Sequence, residues 1–247
     1  MKTAMIASLA GLALAGSASA TFVSYQVVKT SATNSGIALD VYVLYARFDG
    51  ATDTVLNAYN LALTAGSAGS NDAYGAFYHK DNATSNSGVL QKSFGTWSPG
   101  ATGSATANRP FDSYLTIGGL PTATNSSSAD PSWNSGGTGA HAGGAAGWTR
   151  PDLLNNGVIG WFNGSPPNNQ GRVGLAGNTA TDVRLGQFVV DAGANAGTWT
   201  LTTAYNNGVA GSAVQFANGS FSLGGAVPAP GALALLGLAG FAGRRRR

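Results

Sequence analysis

The chain has no cysteine and no glutamate, and only two histidines, among 247 residues. The first absence excludes disulfides, thiol catalysis and cysteine-ligated metals. The second leaves aspartate as the only side-chain acid, ten in all. His79 and His141 stand far apart in sequence, without the paired spacing of a histidine metal site. There is no Gly-x-Ser-x-Gly elbow and no glycine-rich loop ending in lysine, so nucleophile-elbow hydrolysis and phosphate-loop chemistry have no motif to rest on. Charge is scarce, at 9% of residues. The formal net charge of +3 misleads, because Lys2 and Arg244–Arg247 supply five of the thirteen bases. Between Thr21 and Ala226 eight bases face ten aspartates, a net −2, so the body has no basic surface for nucleic acid.

Long hydrophobic runs occur only at the two ends. "MKTAMIASLAGLALAGSASA" has a lysine, a short apolar stretch and the triplet Ala18-Ser19-Ala20. That is the pattern of a secretory signal helix, with small residues Ala18 and Ala20 before the cut and Thr21 after it. Signal peptidase is the partner it calls for. At the other end Gly231–Gly243 carries no charge. Thirteen helical residues reach about 20 Å and eighteen about 27 Å, against a hydrocarbon core of roughly 30 Å, so this helix spans only marginally. Arg244, Arg245, Arg246 and Arg247 form a cytoplasmic stop under the positive-inside rule, which leaves the body outside.

Val227-Pro228-Ala229-Pro230, the short apolar helix and the four terminal arginines, in that order, resemble the PEP-CTERM sorting signal of Gram-negative bacteria. The family motif reads Val-Pro-Glu-Pro, so Ala229 stands in place of its glutamate. The resemblance covers the last twenty-one residues. It implies transient residence in the inner membrane, cutting near the motif by an exosortase-type enzyme, and release to the cell surface or extracellular matrix, with exopolysaccharide as partner.

The body reads as all-β. Ile37–Phe48 alternates with Ile37, Leu39, Val41, Val43 and Tyr45 on one face; Thr21–Lys29 places Val23, Tyr25 and Val27 together. Asp53–Leu63 puts Val55, Tyr59, Leu61 and Leu63 on one side, with a comparable helical periodicity. Asp112–Gly119, Gly157–Phe162, Val183–Val190, Gly197–Tyr205 and Gly219–Gly224 are further strands, bounded by turn clusters such as "NNG" and "ANG". No stretch combines helix caps with a 3.6-residue stripe. Short strands with glycine-rich turns predict a single β-sandwich of the immunoglobulin-like, cohesin-like or jelly-roll kind, with long Gly/Ser/Asn-rich loops. The final strands loosely resemble cohesin-like modules, and "DSYLTIGG", "GWFNGSPPNNQGRVG" and "VRLGQFVV" are similar to segments of uncharacterised exported proteins with the same tail. The expected division is 1–20 signal, 21–226 sandwich, 227–247 tail.

Chemistry in the body is sparse. Asp49 and Asp53 share one tight turn and are calcium candidates, although the EF-hand spacing is absent. Trp97, Trp133, Trp148 and Trp161 lie in or beside the long loops, where indoles can stack on sugars. Thr198, Thr200 and Thr202 form one face of a strand, a row able to face ice or another ordered surface, although a single such strand is ordinary for the solvent face of a sandwich. No cofactor is called for. The sequence reading is a non-enzymatic envelope or matrix protein with structural or adhesive work. A carbohydrate-binding module is the alternative, and a secreted glycan hydrolase using a pair of aspartates a weaker one.

Overall fold

The computed structural model describes residues 20–65, 77–78, 97–99, 111–122, 124–129 and 159–224. They form nine strands: β1 (Phe22–Asn34), β2 (Ile37–Phe48), β3 (Thr54–Ala65), β4 (Tyr114–Leu115), β5 (Ser127–Ala129), β6 (Ile159–Asn163), β7 (Asp182–Asp191), β8 (Thr198–Asn206) and β9 (Gln215–Ser222), with one 3₁₀ turn at Pro166–Asn168. All pairings are antiparallel. One sheet has the order β1-β2-β7-β4 and the other β5-β6-β3-β8-β9. Among the described residues the body is therefore all-β, as the alternation predicts. The signal and tail segments lie outside the described residues.

The two sheets meet over one apolar core. The Phe48 ring of β2 lies 5.1 Å from Tyr205 of β8, and Phe188 of β7 lies 6.2 Å from Phe221 of β9. Trp199, Leu201 and Tyr205 face inward from β8, as alternation requires. Aromatic and β-branched side chains suit this half-buried pleated surface. Phe77 and Trp97, from the segments between β3 and β4, enter the same core: their rings sit 5.7 Å apart, and each touches Phe188.

β2 is buried on both faces. Tyr42, Leu44, Ala46 and Phe48 face the main core. Leu39 and Val41 turn the other way, into a second cluster with Val189 and Tyr78. This explains why Ile37–Phe48 reads almost continuously apolar: a strand covered on both sides has no solvent face to keep polar. The Tyr78 backbone N–H donates to Val189 O at 2.8 Å, which fixes the covering segment on the sheet.

Bulges revise two of the expected faces. A register shift between Phe22 and Ser24 inserts a residue into β1. Phe22 then joins Tyr25 and Val27 against the core, and Val23 is left 54% exposed. In β3, shifts between Val55 and Asn57 and between Tyr59 and Ala62 break strict alternation. Val55, Ala58 and Leu61 are buried, whereas Tyr59 pairs with Thr202 on the opposite face. Each extra residue swaps the side from which the following residues project.

Few charges stabilise this fold, and the described residues form two ion pairs. Arg47 of β2 grips Asp182 of β7 with two hydrogen bonds of 2.7 and 3.1 Å. That fork holds the Asp182 carboxyl below its ordinary range, with Thr179 adding a bond of 2.9 Å. Asp40 is buried, and burial pushes its carboxyl upward. The Lys29 ammonium at 2.8 Å and the Gly193 N–H at 2.7 Å outweigh this and hold it below its ordinary range.

Candidate functional site

A stretch of the outer face of the five-stranded sheet, along β8 and β9, is polar and uncharged, with the exposed Phe216 ring at its end. Pairing in register sets Thr198, Thr200 and Thr202 of β8 beside Ser222, Ser220 and Asn218 of β9. Thr198 Oγ1 and Ser222 Oγ lie 2.8 Å apart, and Thr202 Oγ1 donates to Asn218 Oδ1. Thr200 Oγ1 donates to the Ala62 carbonyl of β3 at 3.4 Å. Between these rows runs an open groove of about 470 Å³, lined by the polar residues Asn60, Thr200, Thr202, Asn218 and Ser220 together with Leu201 and Gly219. Asn60 takes a left-handed conformation, φ 56°, inside the β3 bulge. Asparagine tolerates that region better than most residues, so the bulge can deliver an amide to the groove. The lining offers hydroxyls and amides, which both donate and accept, and no ion. Such a surface fits the hydroxyls of a neutral sugar chain and has nothing with which to select an anion.

A second polar region lies where β4, β5 and the loop after β6 converge. Gln170 is its buried hub. Its Nε2 donates to Ile117 O at 2.9 Å and lies 3.0 Å from Asn125 Oδ1; its Oε1 accepts from Ser126 N at 2.9 Å. Ser127 Oγ accepts from Ile117 N at 2.7 Å, and Trp161 Nε1 donates to Thr116 O at 2.8 Å. Asn178 Nδ2 donates to Gln170 O and Arg172 O, both at 2.8 Å. Gly118 permits the crossing: at φ +65° it lies so close that a Cβ there would meet Gln170 O at 1.9 Å. A recess of about 300 Å³ opens above the hub, bounded by Leu120, Thr122, Thr124, Asn125 and Gln170. The hub's own amide groups are already occupied within the protein, so the region acts as a lock that replaces missing strand pairing.

The sequence-predicted residues distribute unevenly. Trp97 and Trp161 are 0% and 1% exposed. Neither presents a ring face to solvent, which corrects their reading as sugar platforms: so alanine-rich a body has few other large side chains to fill its interior. Trp133, Trp148, His79 and His141 fall outside the described residues, as do Ala18, Val227–Pro230 and Arg244–Arg247. Ala20 is buried and Thr21 exposed at the start of β1, where Thr21 O accepts from Asp49 N at 3.2 Å. Asp53 is buried beneath its own turn. Its Oδ2 accepts from Gly50 N at 3.1 Å, while burial pushes its carboxyl above the ordinary range. Asp49 points to solvent. The pair therefore forms a closed turn, and among the described residues no three acidic or histidine side chains gather as a metal cluster would require. Asp40 and Asp182 hold bases, and Asp191 accepts from Tyr78 Oη at 2.6 Å.

No family model, no curated protein and no solved structure matches the chain.

Sequence reasoning singled out the threonine row but not its partners. Asn218 and Ser220 lie in "ANGS", which reads as a turn, and Asn60 becomes relevant only through a bulge.

Proposed function

We propose that the chain is an exported envelope or extracellular-matrix protein with structural or adhesive work, whose sandwich body meets neutral exopolysaccharide through the outer face of β3, β8 and β9. Export rests on the signal-like segment 1–20, and sorting on the PEP-CTERM-like tail 227–247. The body is of the cohesin-like or jelly-roll kind, a four-stranded sheet facing a five-stranded one. One observation carries the contact with glycan: a groove of about 470 Å³ whose polar side chains are all neutral hydroxyls and amides, set beside Leu201 and Gly219. Four of the six described aspartates, Asp40, Asp53, Asp182 and Asp191, already serve a partner within the fold, which supports a non-enzymatic reading.

The test is retention of the folded protein on immobilised neutral polysaccharide from the producing cell. The double substitution Thr200→Ala/Asn218→Ala is expected to weaken retention about tenfold or more, since two hydrogen bonds worth about 0.5–1.5 kcal/mol each are removed. Melting by circular dichroism should change little, because both side chains lie on the outer face. Equal retention of both proteins would overturn the assignment. Saturation by a single defined oligosaccharide would identify a discrete carbohydrate-binding module rather than a matrix component.

A further inference from the structure

Two sheets have four edges, and three of them are guarded. β4 has two residues and β5 three, too short to template another strand. β1 is long, but it carries the Phe22/Ser24 bulge and a lysine bound to Asp40. Bulges, charges and brevity are the devices by which sheet edges avoid pairing with foreign strands. β9 has none of these. It is eight residues long, pairs with β8 without a register shift, and contains neither proline nor charge. No Asp, Glu, Lys, Arg or His occurs anywhere from Ala192 to Gly243. Beside this edge Val209, Val214 and Phe216 are 60%, 45% and 65% exposed.

The open side of β9 can be assigned residue by residue. Leu223 N donates to Gly197 O at 2.8 Å. Alternation along the β8–β9 register then aims the backbone groups of Phe221, Gly219 and Ala217 at β8. The N–H and C=O groups of Phe216, Asn218, Ser220 and Ser222 point to the open edge.

We infer that β9 is the docking edge for a second copy of this chain, pairing β9 antiparallel with β9 across a two-fold axis. Two-fold pairing brings the residues close to the axis near their own equivalents, so a charge there would repel itself. β9 is free of charge along its whole length. The same neutrality gives a charged foreign strand no counter-ion to recognise. The join would double the five-stranded sheet and set two polar grooves side by side on one face.

The experiment uses the full chain in solution, followed by sedimentation velocity and by backbone hydrogen exchange over a range of concentrations. The expected result is a species of twice the chain's mass, with the Asn218, Ser220 and Ser222 amides exchanging about tenfold or more slowly in it than after dilution. Ser220→Pro removes an outward N–H and takes no bond from the β8 ladder. Asn218→Lys places like charges near the axis without altering the backbone. Each is expected to give a monomer with fast exchange at this strand, and the lysine variant answers the question should the proline variant fail to fold. A monomer at every concentration would overturn the proposal. So would exchange at β9 that ignores concentration, or association that survives the lysine substitution.

Discussion

Replacing Trp161 by alanine is expected to lower the free energy of unfolding by about 3–5 kcal/mol, the range for deleting a large buried aromatic side chain. The indole is 1% exposed and sits in the main core. Its removal leaves a cavity and also strands Thr116 O, which accepts from Nε1 at 2.8 Å. For a domain of this size each kcal/mol shifts the melting temperature by about 2–4 °C, so a drop of roughly 10 °C should be visible in a thermal scan. The same substitution at a sugar platform would leave the melting temperature unchanged and abolish binding. A melting temperature within a degree or two of the parent would contradict the core assignment.

Substituting Gln170 by alanine is expected to destabilise by about 2–4 kcal/mol, because buried partners left unpaired cost about 1–3 kcal/mol each. Ser126 N loses its acceptor at 2.9 Å and Ile117 O its donor at the same distance. Gln170→Glu separates this account from a simple loss of volume. A carboxylate keeps the size and accepts from Ser126 N, but cannot donate to Ile117 O, and ionisation at a buried position adds to the loss. The glutamate variant is therefore expected to be least stable at neutral pH and to recover as its carboxyl protonates. Denaturant midpoints at two pH values decide it; pH-independent midpoints matching the parent would show that the hub does not hold the loops together.

How much of this was legible in the sequence follows from how each residue type signals. β2, β7 and β8 announce themselves, because branched and aromatic residues at period two have few other readings. β1 was legible only as far as Lys29, although it runs to Asn34, and not in phase, since nothing in "TFVSYQVV" marks the inserted residue. β5, Ser-Ser-Ala, is a strand only because β6 lies beside it; its composition is that of a turn. β9 begins at Gln215, four residues before the apolar pattern implies, because small residues pair with β8 as readily as large ones. The aromatic residues of the long glycine-rich segments were visible, but their burial was not: a tryptophan in a polar stretch looks the same whether it stacks on a ligand or plugs the core. The Gln170 hub lay hidden among the many asparagines and serines of "NGSPPNNQG" for the same reason.

The groove reading requires the body to stand outside the cell, where exopolysaccharide lies. The measurement that tests this most directly is the intact mass of the native protein in envelope and medium fractions. The account predicts a chain that begins at Thr21, ends near Pro228 and lacks Arg244–Arg247. A chain that keeps all four arginines and remains with the membrane would contradict it: the tail would then be a plain anchor, and release to a matrix would have no support.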